Sequence, residues 1–299
     1  MKRLLAFVVA AAMVAGSLYV RSRIDDDGTD RTASAPSALR IVCSTELAAA
    51  CDGLAGPTRV EDAGVTADRL VHEDDPAIDA WIVPDPWPAL VDVRRRAQQK
   101  DPLFGDAVTV ATTRLGLATW KGDVDCPPPV TWKCVGEKGA RAGHADPTRD
   151  GIGLLSLGAA AASFFGRTDL STADLEDPAF DAWFAQLEQR GTTNGDALDL
   201  MFSSRGALFD AVAVTAIDVR DVVDTAADKQ RVEVSYPAPM ATAGAVVAAR
   251  RGVQVESRVR AQAADALAAV GWTRGGRATG IPDAGFLDAL LARWHEVVG

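Results

Sequence analysis

Val108-Thr109-Val110-Ala111-Thr112-Thr113-Arg114-Leu115-Gly116-Leu117-Ala118-Thr119 is a β-forming run with no proline and no turn pair inside it. Most strands end after about five or six residues, so a run of this length is expected to leave one sheet and enter another. It predicts two lobes joined by a crossing strand. On this reading lobe one comprises 38–110 and 251–299, and lobe two comprises 111–250.

Outward from that strand the pattern alternates between β and α. Leu39–Cys43 reads as a strand, and Ser44-Thr45-Glu46 can cap a helix running to about Leu54. Ala77–Val83 reads as a second strand, and the prolines of Pro84-Asp85-Pro86-Trp87-Pro88 stop it before a helix from Trp87 to Val93. Beyond the crossing strand, Arg141–Ala145 is a strand, 146–151 a turn and Ile152–Phe165 an Ala/Leu-rich buried helix. Helices follow at 178–190 and 196–203, then a strand at 211–215 and a helix at 217–225. Strands at 232–236 and 244–250 precede helices at about 254–270 and 284–297. Such alternation implies an α/β protein with largely parallel sheets, and the number of units implies two of them.

The composition is that of ordinary globular material, with 48% hydrophobic and 24% charged residues among 299. Residues 1–38 hold five of the 31 basic and four of the 41 acidic side chains, which leaves 26 against 37 and a net charge of −11 beyond them. An acidic body without a basic stripe argues against nucleic acid and against lying along an anionic membrane surface.

The first residues read as a targeting segment. Met1-Lys2-Arg3 precedes an uncharged run from Leu4 to Val20, and Asp25-Asp26-Asp27 lie just beyond Arg21 and Arg23. Two readings stay open for 1–24: a signal peptide cleaved after Ala15-Gly16-Ser17, or an uncleaved signal anchor. Either places the body outside the cytoplasm, secreted in the first case and membrane-bound in the second. Residues 25–37 then form a polar tether. No Cys follows the apolar run, so a bacterial lipoprotein anchor is not expected.

The cysteines fit export, since Cys43, Cys51, Cys126 and Cys134 fall into two local pairs. Prolines force Cys126-Pro-Pro-Pro-Val-Thr-Trp-Lys-Cys134 into an extended turn that a disulfide can close. Cys43 and Cys51 are the open case, because two helical turns between them would hold their Cα atoms beyond the ~7 Å that a bridge tolerates. The spacing is not that of a zinc site, and no metal is expected.

Catalytic signatures are missing: there is no HExxH, GxxxxGK[ST], GxSxG or calcium-loop motif. Gly151-Ile152-Gly153-Leu154-Leu155-Ser156 lacks the third glycine of a dinucleotide fingerprint and reads as a helix N-terminus. No enzyme and no cofactor are expected.

In their order, several segments resemble an extracellular solute-binding protein of the type II periplasmic-binding fold, over about 38–297. Leu39–Leu47 is similar to that family's opening strand and turn, and Ile78–Trp87 to its proline-ended strand followed by Trp. Ala145-Asp146-Pro147-Thr148-Arg149-Asp150-Gly151 resembles the turn that opens its second-lobe helix. Asp210–Thr215 and Val234–Pro237 resemble its later strand and its return. The chain departs from the pattern at Arg149-Asp150, where small hydroxylated residues are usual, and in lacking a lipid-anchoring Cys.

The resemblance implies a small-molecule solute held between lobes, for import or sensing, with an ABC-type permease or another membrane protein as partner. An exported structural or protein-interaction module on the same fold is the alternative. Strand ends and helix N-termini then nominate the contacts: Ser44, Thr45, Asp85, Trp87, Thr112, Thr113, Thr148, Arg149, Asp150, Thr215 and Tyr236. Asp85, Trp87 and Arg149 are expected to converge from opposite lobes.

Overall fold

The computed structural model describes residues 39–298 apart from 55, 190, 194 and 195. The anchor or signal segment (1–24) and the tether (25–37) lie outside the described residues. Among the described residues no helix is long and apolar enough to cross a membrane.

The chain begins with β1 (Ile41–Cys43), α1 (Ala48–Asp52), β2 (Thr58–Val60), α2 (Ala63–His72), β3 (Ala80–Pro84) and α3 (Trp87–Ala97). The long β4 (Phe104–Trp120) leads to α4 (Trp132–Glu137), β5 (Ala142–Ala145), α5 (Gly151–Phe165) and α6 (Pro178–Glu188). Next come β6 (Thr192–Thr193), α7 (Ala197–Ser203), β7 (Ala211–Thr215) and β8 (Val232–Ser235). The last elements are β9 (Thr242–Arg250), α8 (Ser257–Ala269), β10 (Thr273–Arg274) and α9 (Ala284–Val298).

The fold has two lobes, and β4 joins them. Its first part, from Phe104 to Arg114, pairs with β9, and Ala111 and Thr112 also pair with β10. From Leu115 to Trp120 the same strand pairs with β7 and β8 instead. The path β2-β1-β3-β9-β4-β7-β5-β6 therefore passes from one lobe to the other only along β4. Two register shifts against β9, between Phe104 and Ala107 and between Thr109 and Ala111, interrupt its ladder; irregularities of this kind bend a strand and increase its twist.

Two expectations are corrected here. Parallel pairing is confined to β1 with β2 and β3, and to β5 with β6 and β7. The crossing strand and the returning strand run opposite ways, so the middle of the path is antiparallel. The division between lobes moves as well. β9, assigned to lobe two, pairs with β3 and the first part of β4, so 111–114 and 242–250 belong with the first sheet. With the return at Tyr236-Pro237, the boundary falls before β9 rather than after it. At this level the two crossings pack on each other: the Arg114 guanidinium lies 4.3 Å from the centre of the Tyr236 ring.

The Ala/Leu-rich α5 is apolar nearly all round, which explains its burial. Asp150 caps it by accepting from the Gly153 N–H at 2.7 Å, and Gly166 ends it in the left-handed region at φ 68°. One side contributes Leu154 and Leu157 to a core shared with Trp81, Trp87 and Leu287, and the other contributes Leu155 and Ala159 to the core beneath β1 and β9. A third cluster lies between β7 and α7.

Below this layer sits a buried polar group. His144 Nε2 and the Trp294 indole N–H each lie 2.9 Å from Glu188 Oε2. The Glu188 carboxylate outweighs the desolvation of His144 and leaves its imidazole with a raised pKa. The group ties α9 to α6 and β5.

Both cysteine pairs are closed, Cys126–Cys134 with Cα atoms 5.9 Å apart and Cys43–Cys51 at 6.0 Å. The second closes because a 3₁₀ turn at Thr45–Leu47 precedes α1, so two full α-turns do not separate the cysteines.

Candidate functional site

A cavity of about 730 Å³ lies between the lobes. The first lobe contributes Thr45 and Glu46, just past β1, Asp62 past β2, and Val270 and Trp272 ahead of β10. The second contributes the turn after β5, the start of α5, the start of α7 and the end of β7. Strand ends and helix N-termini from both sides thus face one space.

The rim is stitched across the lobes. Arg149 Nε donates to Asp62 Oδ2 at 2.9 Å, and a second guanidinium N–H reaches the same oxygen. The Gly64 N–H donates to the Arg149 carbonyl at 3.0 Å. Glycine is required at position 64, because a Cβ there would stand 1.6 Å from the Thr148 carbonyl oxygen. Deeper in, Glu46 Oε1 accepts from the Gly151 N–H at 2.7 Å. A Cβ on Gly151 would lie 2.3 Å from that oxygen, so the glycine-rich turn serves close approach between lobes.

Electrostatically the wall is one-sided. Seven carboxylates line the cavity (Glu46, Asp62, Asp146, Asp150, Asp196, Asp218 and Asp221) against one guanidinium, that of Arg149. Burial, reinforced by the neighbouring Asp150 carboxylate, pushes the Glu46 carboxyl up to about 8. Burial likewise raises Asp150 and Asp218, against the hydrogen bonds each receives from backbone N–H groups. Asp221, by contrast with these three, is held low by its bond to Arg220.

Of the nominated residues, the structure brings Thr45, Arg149, Asp150 and Thr215 to this cavity. Thr215 Oγ1 accepts from the N–H groups of Ile217 and Asp218, and the Asp218 carboxylate accepts in turn from the Thr215 N–H at 2.6 Å. Thr148 faces a smaller pocket of about 450 Å³ on the other side of the rim, with its hydroxyl bonded to Asp146 at 2.6 Å.

The remaining six lie elsewhere. Ser44 is fully buried, and Thr112 and Thr113 are buried within β4. Tyr236 braces the crossing. The Asp85 N–H bonds the Gly244 carbonyl at 2.7 Å, and its carboxyl is raised by burial.

The expected convergence of Asp85, Trp87 and Arg149 is not found at the cavity: Trp87 and Arg149 share the smaller pocket, and Asp85 lines neither. Trp87 occupies the first turn of α3 with its indole turned into the core, 6.5 Å from the Trp81 ring, and it touches the smaller pocket rather than the cavity.

Sequence reasoning passed over Glu46, Asp62, Asp146, Asp196 and Asp218. The same positional logic reaches three of them. Glu46 follows Thr45 directly, Asp196 occupies the N-cap of α7, and Asp218 closes the capping box of Thr215.

No family model matches this sequence, and no curated protein matches it either. Solved structures do resemble it. Iron-bound HitA from Pseudomonas aeruginosa aligns over 88% of this chain and 99% of its own, with a TM-score of 0.58 at 13% identity. A periplasmic thiamin-binding protein aligns over 91% and 99%, with a TM-score of 0.55 at 12% identity. This is the type II periplasmic-binding-protein fold. Apo ferric ion-binding protein A of Pasteurella haemolytica shares it too, with a TM-score of 0.54 at 12% identity over 87% of this chain and 96% of its own.

Proposed function

We propose that this chain is an exported, membrane-tethered solute-binding protein that captures a small ligand in the inter-lobe cleft, for delivery to an ABC-type permease or for sensing. The observation that carries this reading is the 730 Å³ cavity walled from both lobes by strand ends and helix N-termini. Its volume lies within the range of small-molecule sites. The crossings at Arg114 and Tyr236 serve as the hinge between the two sheets. The apolar run near the N-terminus supplies the anchor, and residues 25–37 the tether. Iron and thiamin, named for two of the similar structures, are very different cargoes, so the ligand here follows from the residues of this cleft.

The role is binding without catalysis. The alternative of an interaction module is favoured by the rim, where the Asp62–Arg149 pair and the Gly64–Arg149 hydrogen bond join the lobes through the protein's own groups. A thermal-shift screen of the full-length protein against cationic, anionic and neutral solutes separates the two. Stabilisation that saturates with one class supports solute capture, and no response to any class supports the module.

A further inference from the structure

The sign of the cleft decides its ligand class, given the solute-binding reading above. The start of α5 is where an anion would ordinarily sit, because its first N–H groups and the helix dipole favour negative charge. That seat is taken. The Gly151 N–H is bonded to Glu46 from the opposite lobe at 2.7 Å, and the Gly153 N–H to Asp150 at 2.7 Å. The protein's own carboxylates fill the place of a ligand carboxylate or phosphate. Arg149, the single cationic group on the wall, is turned to Asp62.

What remains facing the cavity is a surplus of carboxyl groups, seven against one guanidinium. Glu46, Asp150 and Asp218 come from both lobes, so closure crowds carboxyls together and favours their protonated form, and a bound cation favours the ionised form instead. No three carboxylate, imidazole or thiol groups among the described residues converge on a point that would hold one metal ion. The charge is spread around a roomy cavity, with Ile152, Ile217, Val270 and Trp272 between the carboxylates. Distributed charge with apolar wall between suits nitrogen cations carried on a carbon frame.

We propose that the cleft takes an organic cation, a solute presenting one or more ammonium groups to Glu46, Asp150 and Asp218, and that it rejects carboxylate and phosphate ligands. Binding then couples to closure, because the cation offsets the repulsion that Glu46 meets when it docks on α5. The raised carboxyls add a proton linkage: a cation draws their protons off as it binds.

The test titrates the full-length protein calorimetrically with putrescine, spermidine and choline, and with citrate, phosphate and glucose as opposing probes. Wild type, Glu46→Gln and Asp218→Asn are compared, each first shown to melt cooperatively. At least one amine is expected to bind one-to-one, and each substitution to weaken it by about ten- to a hundredfold. Proton release on binding between pH 6 and 8, read from buffers of different ionisation enthalpy, is expected in wild type and reduced in Glu46→Gln. Binding of citrate, phosphate or glucose without any amine overturns the cation class and leaves solute capture standing. Amine binding indifferent to both substitutions overturns the assignment to this cleft. Failure of every probe overturns the proposal together with the reading beneath it.

Discussion

Glu46 and Gly151, 105 residues apart in the chain, meet across the inter-lobe cleft, where Glu46 Oε1 accepts the Gly151 N–H at 2.7 Å. A carboxylate of the first lobe thereby docks on the N-terminal end of the helix that leads the second. The contact is favourable in dipole terms and unfavourable in charge, because Asp150 stands beside it. This tension makes closure sensitive to protons and to charge in the cleft.

The pH dependence follows from the direction of the shifts. Glu46, pushed up to about 8, together with Asp150 and Asp218, binds more protons folded than unfolded. Stability from these groups is complete below the ordinary carboxylate range and is lost as pH rises through the raised values. Raised His144 acts in the same direction. Carboxyls held low, such as Asp79 and Asp210, lose their contribution only in acid below that window. The melting midpoint of the ligand-free protein is expected to fall between pH 5.5 and 8. Glu46→Gln is expected to flatten that slope without abolishing the part due to His144. An equally steep slope in the variant, followed by differential scanning calorimetry, contradicts the assignment.

Gly64 tests whether the rim contact holds the lobes together. An added methyl would stand 1.6 Å from the Thr148 carbonyl oxygen, and a backbone oxygen cannot swing aside as a side chain can. Alanine is otherwise welcome in a helix. Gly64→Ala is therefore expected to prop the lobes apart and raise the radius of gyration in solution scattering while helix content stays that of wild type. An unchanged radius means that the rim is not closed in solution.

The buried group beneath the second lobe predicts a stability effect. In His144→Ala the Glu188 carboxylate loses its imidazole partner in a site from which water is shut out, where its side chain is 0% exposed. Breaking a buried pair by removing one partner costs about 3–5 kcal/mol. Urea unfolding is expected to show a lower midpoint with an unchanged slope, and replacement of both residues by apolar ones of similar volume to recover much of the loss. A midpoint within experimental error of wild type contradicts a structural role for this pair.

How much of this was legible in the sequence depends on the distance over which the information acts. The crossing strand showed itself because twelve residues without a breaker is a local signal, and β4 does extend across both lobes. Helix α5 and its Asp150 cap were readable for the same reason. The boundary between the lobes was set one strand late because β-propensity cannot say which of two sheets a strand joins; pairing with β3 and β4 decided that for β9. Trp87 was nominated on its position at a strand end, yet the turn of its indole toward Trp81 is set by packing from another element. The acidic wall was hidden for a related reason. Its carboxylates lie far apart in the chain, from Glu46 to Asp221, and only the closing of two lobes makes them neighbours.

The central claim is that solute binds between the lobes, and filling the cleft tests it most directly. Ala213 lies on the cavity wall near the end of β7 and is only partly buried, so Ala213→Trp adds bulk to the space without opening the core. The measurement is a calorimetric titration of the best-stabilising solute into wild type and Ala213→Trp, after both are shown to melt alike. The account predicts at least about a hundredfold loss of affinity, near 2.7 kcal/mol. Equal affinity in a variant that folds like wild type would contradict it and place the ligand outside the cleft.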